Sequence, residues 1–264
     1  MASRISLRLV ALAYLGAILV APVAVIAYKT FEPGLGEVWD SVTTPAAVHA
    51  FWLTLQVAAI AVPLNAALGV LTALALVRGR VPGRRLVEAV IDLPFAISPV
   101  VVGLALLLLY GRQGWFGDEL AGAGIQILFS FPGILLATVF VTLPFVVRET
   151  VPVLREVGTE QEQAAATLGA TPLQTFWRIT LPSIRWGVAY GVVLTTARAI
   201  GEFGAVSVVS GKVAGQTETL TLLVEKRFQN FDVAGAYAAS ALLALIALLT
   251  LLGMTFLGSR KAHP

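Results

Sequence analysis

Six stretches of roughly 20 residues or more pass almost without a charged side chain: Leu9–Ala27, Phe51–Val77, Val90–Tyr110, Ile125–Val147, Trp186–Val209 and Val233–Leu257. Each is long enough to cross a hydrocarbon layer about 30 Å thick as a helix, which takes about 20 apolar residues. In lipid the backbone must satisfy its own hydrogen bonds, so only helices and closed barrels span. None of the six shows the period-2 alternation of a barrel strand, so the fold class expected is all-α, a polytopic membrane protein of six transmembrane helices. The overall balance agrees: of 264 residues 58% are hydrophobic and only 12% charged, too few to coat a soluble domain of this length.

Orientation follows from lysine and arginine. With the N-terminus inside, twelve basic residues fall on the cytoplasmic side: Arg4, Arg8, Arg78, Arg80, Arg84, Arg85, Arg148, Arg155, Arg178, Arg185, Arg260 and Lys261. Five fall outside, Lys29, Arg112, Lys212, Lys226 and Arg227, and Arg198 lies within the fifth stretch. Both termini are therefore expected in the cytoplasm. The first stretch follows Arg4 and Arg8 as a signal peptide would, but it is longer than a usual signal core and more spans follow, so it reads as a retained helix. Basic residues sit at the ends of apolar runs and not on a polar face, which argues against nucleic acid as a partner.

Catalytic chemistry finds little to use. There is no cysteine, and His49 and His263 fall in an expected loop and at the C-terminus. No G-x-x-x-x-G-K-[ST], H-E-x-x-H or G-x-S-x-G run occurs, so the chain is not expected to hydrolyse ATP or to hold a metal.

The cytoplasmic segment 148–185 is too long for a simple connection. Thr159 with Glu162 fits a capping box opening a helix near Glu160, and Gly169 suits a left-handed helix end. Thr171-Pro172 fits a second helix start, which Pro182 is expected to close. The outcome is a helical hairpin with small residues, Ala164, Ala165, Ala166, Gly169 and Ala170, at its turn. Such a turn suits docking in a partner's groove, and equally an amphipathic hairpin resting on the membrane.

Gln163-Ala164-Ala165, then Gly169, Ile179 and Leu181-Pro182, resembles the EAA signature of bacterial ABC-importer permeases, with Gln163 where the family carries glutamate and Glu162 just before it. The stretches Asp92–Leu104 and Ala197–Gly211 resemble sulfate and molybdate permeases, the second most closely the W-type subunit of sulfate/thiosulfate importers. The resemblance implies one type-1 importer transmembrane domain over residues 1–264, in the cytoplasmic membrane of a bacterium. It implies a coupling helix at Glu162, Gln163, Ala164, Ala165, Gly169, Ile179, Leu181 and Pro182. It also implies a T-type permease partner, two ATPase subunits that use ATP-Mg, and an extracytoplasmic sulfate-binding protein. No cofactor is then bound by this chain. A molybdate/tungstate permease is the alternative, and a secondary transporter a further one, although no inverted repeat stands out and Glu202 is the only acidic residue deep in a stretch.

Arg198 lies about 18 Å along its helix from Trp186, near mid-bilayer. Glu202 is one turn on and can pair with it. Intramembrane charges are costly and usually face a cavity or a partner. Arg198, Gly201, Glu202, Gly204, Ser207 and Ser210 are therefore candidates for a translocation path. The competing reading, slightly preferred, is that Arg198 and Glu202 neutralise each other and pin helix packing. Gly187 and Gly191 form a pair for close helix contact. Asp92 is expected to make an interfacial salt bridge with Arg84, Arg85 or Arg148. Lys226 and Arg227, in the expected outer loop Gly211–Asp232, either meet the binding protein or, the preferred reading, are simply solvated.

Overall fold

The computed structural model describes residue 10 and residues 12–79 and 81–259. The expectations attached to Arg4, Arg8, Arg80, Arg260, Lys261 and His263 lie outside those residues. α1 (Leu12–Phe31) contains a π turn at Gly16–Val20. A short helix, α2 (Leu35–Val42), leads to α3 (Pro45–Arg78), where Thr44 Oγ1 accepts the Ala47 N–H at 3.2 Å and Pro45 opens the first turn. His49 lies in α3 and not in a loop, because this cap starts the helix six residues ahead of the uncharged stretch.

The third stretch is broken. α4 (Arg84–Ala96) and α5 (Pro99–Tyr110) meet at 111°. Ser98 precedes a proline and is held extended, at ψ 135°, so the helix stops and Pro99 starts a new one. After a short α6 (Gly117–Gly122), α7 runs from Phe131 to Val157 and carries Pro144 and Pro152. Residues 125–130 are not part of it: Ser130 Oγ is tied to the carbonyls of Gln126 and Ile127, and Pro132 marks the start of the helix.

Two further short helices, α8 (Glu160–Thr167) and α9 (Pro172–Thr175), form the hairpin. A π turn, Phe176–Thr180, joins α9 to α10 (Leu181–Ile200) without interruption. Pro182 therefore does not close the second hairpin helix. It sits in the first turn of α10, and the wider π turn ahead of it carries the chain through. The fifth stretch also breaks, at Gly201–Phe203, before α11 (Gly204–Val209). α12 (Leu220–Gln229) and α13 (Val233–Ser259) follow.

Among the described residues, α1, α3, α7 and α13 are long and apolar enough to cross a membrane, and the bent pair α4–α5 is a fifth if it crosses as one. α10 has 20 residues but carries Arg185, Thr195, Thr196 and Arg198, which dilute its apolar character.

α3, α7 and α10 form the central layer, with Val70, Leu76, Val146, Leu154 and Ile184 buried between them. A Cβ on Gly191 would lie 2.8 Å from Val146 Cα, so α10 reaches α7 at backbone contact distance. Asn65 adds a polar lock: its Nδ2 donates to Val139 O at 3.1 Å and Thr142 Oγ1 at 2.7 Å, tying α3 to α7. Along α4, Arg148 Nε meets Asp92 Oδ1 at 2.8 Å and Arg155 Nη2 meets Glu88 Oε1 at 2.8 Å, so Asp92 takes Arg148 as its partner.

Candidate functional site

The hairpin departs from the sequence reading in one contact. Thr159 precedes α8, but its side chain does not cap the helix; its Oγ1 accepts from Gln163 Nε2 at 3.0 Å. Glu162 is drawn elsewhere: its Oε2 lies 3.0 Å from Arg78 Nε at the end of α3, and Thr180 Oγ1 donates to its Oε1 at 2.9 Å. The reciprocal capping box belongs to Thr171 and Gln174, with Thr171 N–H donating to Gln174 Oε1 at 2.9 Å and Gln174 N–H to Thr171 Oγ1 at 3.3 Å. Between the helices Gly169 adopts φ +84°, which a side chain would strain, and Ala170 N–H closes the turn on Ala165 O at 3.0 Å.

Within this frame Ala165 is buried, Glu162, Ile179 and Leu181 are half-buried, and Gln163, Ala164, Gly169 and Pro182 are exposed. Three large apolar side chains stand out from the hairpin: Leu168 at 88% exposure, Leu173 at 68% and Trp177 at 60%. Exposed apolar side chains grouped around a small-residue turn mark a surface that lipid or another protein covers. Arg78 and Thr180 also belong to this site, and no sequence signal singled them out: Arg78 is one of four arginines, with Arg80, Arg84 and Arg85, between the second and third apolar stretches.

At the other cluster, Arg198 Nη1 lies 2.8 Å from Glu202 Oε2, and Glu202 is buried. The other carboxylate oxygen, Oε1, accepts the Ala205 N–H at 3.0 Å, so Glu202 caps α11 as well as pairing with Arg198. That bond satisfies a backbone N–H in the first turn of α11, which the break at Gly201–Phe203 leaves without a partner. The carbonyl of Glu202 accepts from Thr221 Oγ1 at 2.8 Å, which anchors the break to α12. Gly201 is exposed, whereas Gly204 packs on α5, where an added Cβ would lie 2.8 Å from Pro99 Cβ. The breaks of the third and fifth stretches therefore lie against each other. Ser207 Oγ donates to Gly204 O at 2.8 Å; Ser210 is fully buried, its Oγ accepting the Lys212 N–H at 3.1 Å.

Lys226 and Arg227 are not simply solvated. Arg227 donates to Gly235 O at 2.9 Å, Ser41 O at 2.8 Å and Thr44 Oγ1 at 3.2 Å, and Lys226 Nζ meets the buried Glu218 at 3.0 Å. Both lie on α12, where a loop was expected; the helix turns Arg227 onto Ser41 O and Thr44 Oγ1 ahead of α3 and onto Gly235 O in α13.

Among the described residues the chain is an all-helical bundle with two broken helices packed at their breaks and a side hairpin of small and apolar residues. The fold matches a crystal structure of a bacterial ABC transporter that imports the acidic polysaccharide alginate, with a TM-score of 0.81 over 98% of this chain and 95% of that one, at 18% identity. The chain belongs to the binding-protein-dependent transport system inner membrane component family, whose model matches residues 65–263. It is 49% identical over 253 residues to the sulfate transport system permease protein CysW of Synechocystis sp., covering 96% of this chain and 92% of the relative. To the CysW of Escherichia coli K12 it is 50% identical over 234 residues, 89% of this chain and 80% of the relative. The CysT permease of Synechococcus elongatus is more distant, 42% identical over 238 residues, 90% of this chain and 86% of the relative.

Proposed function

We propose that this chain is one of two permease subunits of an ABC importer that carries sulfate or thiosulfate across the bacterial cytoplasmic membrane by alternating access. ATP-Mg is hydrolysed by two separate ATPase subunits, a T-type permease completes the channel, and an extracytoplasmic sulfate-binding protein delivers the anion. Six spans with both ends in the cytoplasm fit the distribution of basic residues, with α4–α5 and α10–α11 each crossing as a broken span. The carrying observation is the hairpin: Gln163-Ala164-Ala165, the turn at Gly169, and Leu168, Leu173 and Trp177 exposed around it. As the lever seated in the ATPase, it would pass closure of the nucleotide sites into rocking of α10 and α3.

Selection between tetrahedral dianions falls mainly to the binding protein, which is a separate chain. Arg198 serves chiefly to neutralise Glu202 and hold the break between α10 and α11, since a fixed strong cation would trap a dianion. Because the chain has no native cysteine, single cysteines at 164–170 report contacts without background. Cross-linking of these positions in the assembled complex is expected to capture the ATPase. Adducts with lipid-soluble reagents alone, and none with another polypeptide, would remove the coupling role.

A further inference from the structure

We infer that Arg78 and Thr180 are positioning residues that bolt the coupling hairpin, through the Glu162 carboxylate, to the end of α3 and the start of α10. This inference rests on the coupling reading above. The Arg78 guanidinium makes a two-pronged approach to Glu162, with Nε to Oε2 at 3.0 Å and Nη2 to Oε1 at 3.5 Å. The same Nη2 donates to Gly158 O, in the turn that leads into α8. Thr180 Oγ1 completes the joint at 2.9 Å from Oε1. One carboxylate therefore joins three segments: the end of α3, the first turn of α8 and the π turn.

The surroundings favour a mechanical role over a decorative surface pair. The side chains of Arg78 and Glu162 are only 19% and 21% exposed, and Thr180 is buried, so water competes weakly for these bonds. The π turn Phe176–Thr180 is the last irregular turn before α10, and Thr180 at its end carries the hydroxyl that meets Glu162. π turns of this kind recur at functional positions. Adjacent residues divide the work: Gln163 stays on the exposed face, held by Thr159, while Glu162 faces inward. A push on the exposed face then reaches α3 and α10 together. Without the joint the hairpin would hinge at Gly158, φ +67°, and at Gly169.

The test uses the complete importer reconstituted in liposomes, reading sulfate taken up per ATP hydrolysed. Arg78→Ala is expected to lower that ratio about tenfold, the scale of a typical coupling between sites. Thr180→Val, which keeps both charges, should lower it roughly fivefold, the effect of one hydrogen bond worth about 1 kcal/mol. Arg78→Lys, which keeps a charge beside Glu162 but loses the two-pronged geometry, should recover part of the loss. An assembled Arg78→Ala complex with the wild-type ratio overturns the inference. If that variant fails to accumulate, wild-type ratios in both Thr180→Val and Glu162→Ala overturn it equally. Cross-links from 164–170 to the ATPase in the same complexes separate the cases: their presence with an unaffected ratio refutes the joint alone, and their absence refutes the coupling reading beneath it.

Discussion

At the scale of single residues, the structure separates charges that hold the fold from those exposed to the surroundings. Glu202 is buried, and its principal countercharge is Arg198, one turn earlier. Removing Arg198 leaves the buried carboxylate uncompensated, and because the arginine itself is 32% exposed the cost falls below that of a fully buried pair, about 1–2 kcal/mol. Arg198→Ala should therefore lower the thermal midpoint of the purified complex by several degrees, with Arg198→Lys recovering much of it; an unchanged midpoint for the alanine variant would show that the pair does not hold the break. Normal sulfate uptake by a well-assembled Arg198→Ala protein would in addition exclude the arginine from the translocation path. The pairing was legible from the i,i+4 spacing alone. The second duty of Glu202, capping α11, was not, because a cap becomes visible only once the helix is known to stop.

At the scale of elements, backbone contact between α7 and α10 sets the central layer. A leucine at Gly191 would drive its Cβ to 2.8 Å from Val146 Cα, where backbone cannot yield as a side chain tip can. Overpacking of this kind costs about 1–3 kcal/mol, so Gly191→Leu should reduce the folded yield and thermal midpoint. Gly253→Leu, with nothing within 4 Å of the added atom, should leave both unchanged. Equal behaviour of the two variants in a melting experiment would contradict the packing. The glycine pair was readable in the sequence, as were the apolar stretches and the hairpin with its turn at Gly169. What hydropathy could not report were the breaks. Val90–Tyr110 and Trp186–Val209 are apolar enough to pass as continuous helices, and the interruptions sit at local features: the extended residue ahead of Pro99, and Gly201–Phe203, beside which the Glu202 carboxylate takes the Ala205 N–H. The Arg78–Glu162 contact joins residues 84 apart in sequence, beyond the reach of any local periodicity.

At the scale of the whole molecule, the hairpin and the paired breaks lie at the two ends of the same helix, α10. With the hairpin as the proposed lever, a displacement carried by α10 would arrive at Gly201–Phe203 and at α5 packed against it. In the proposed importer the chain is a passive conductor of work done elsewhere, and the direct measurement is sulfate uptake by liposomes holding the complete complex. Accumulation is expected to need enclosed ATP-Mg, the ATPase, the binding protein and this chain together. Sulfate accumulation by liposomes containing this chain without any ATPase, driven by an imposed ion gradient, would contradict it.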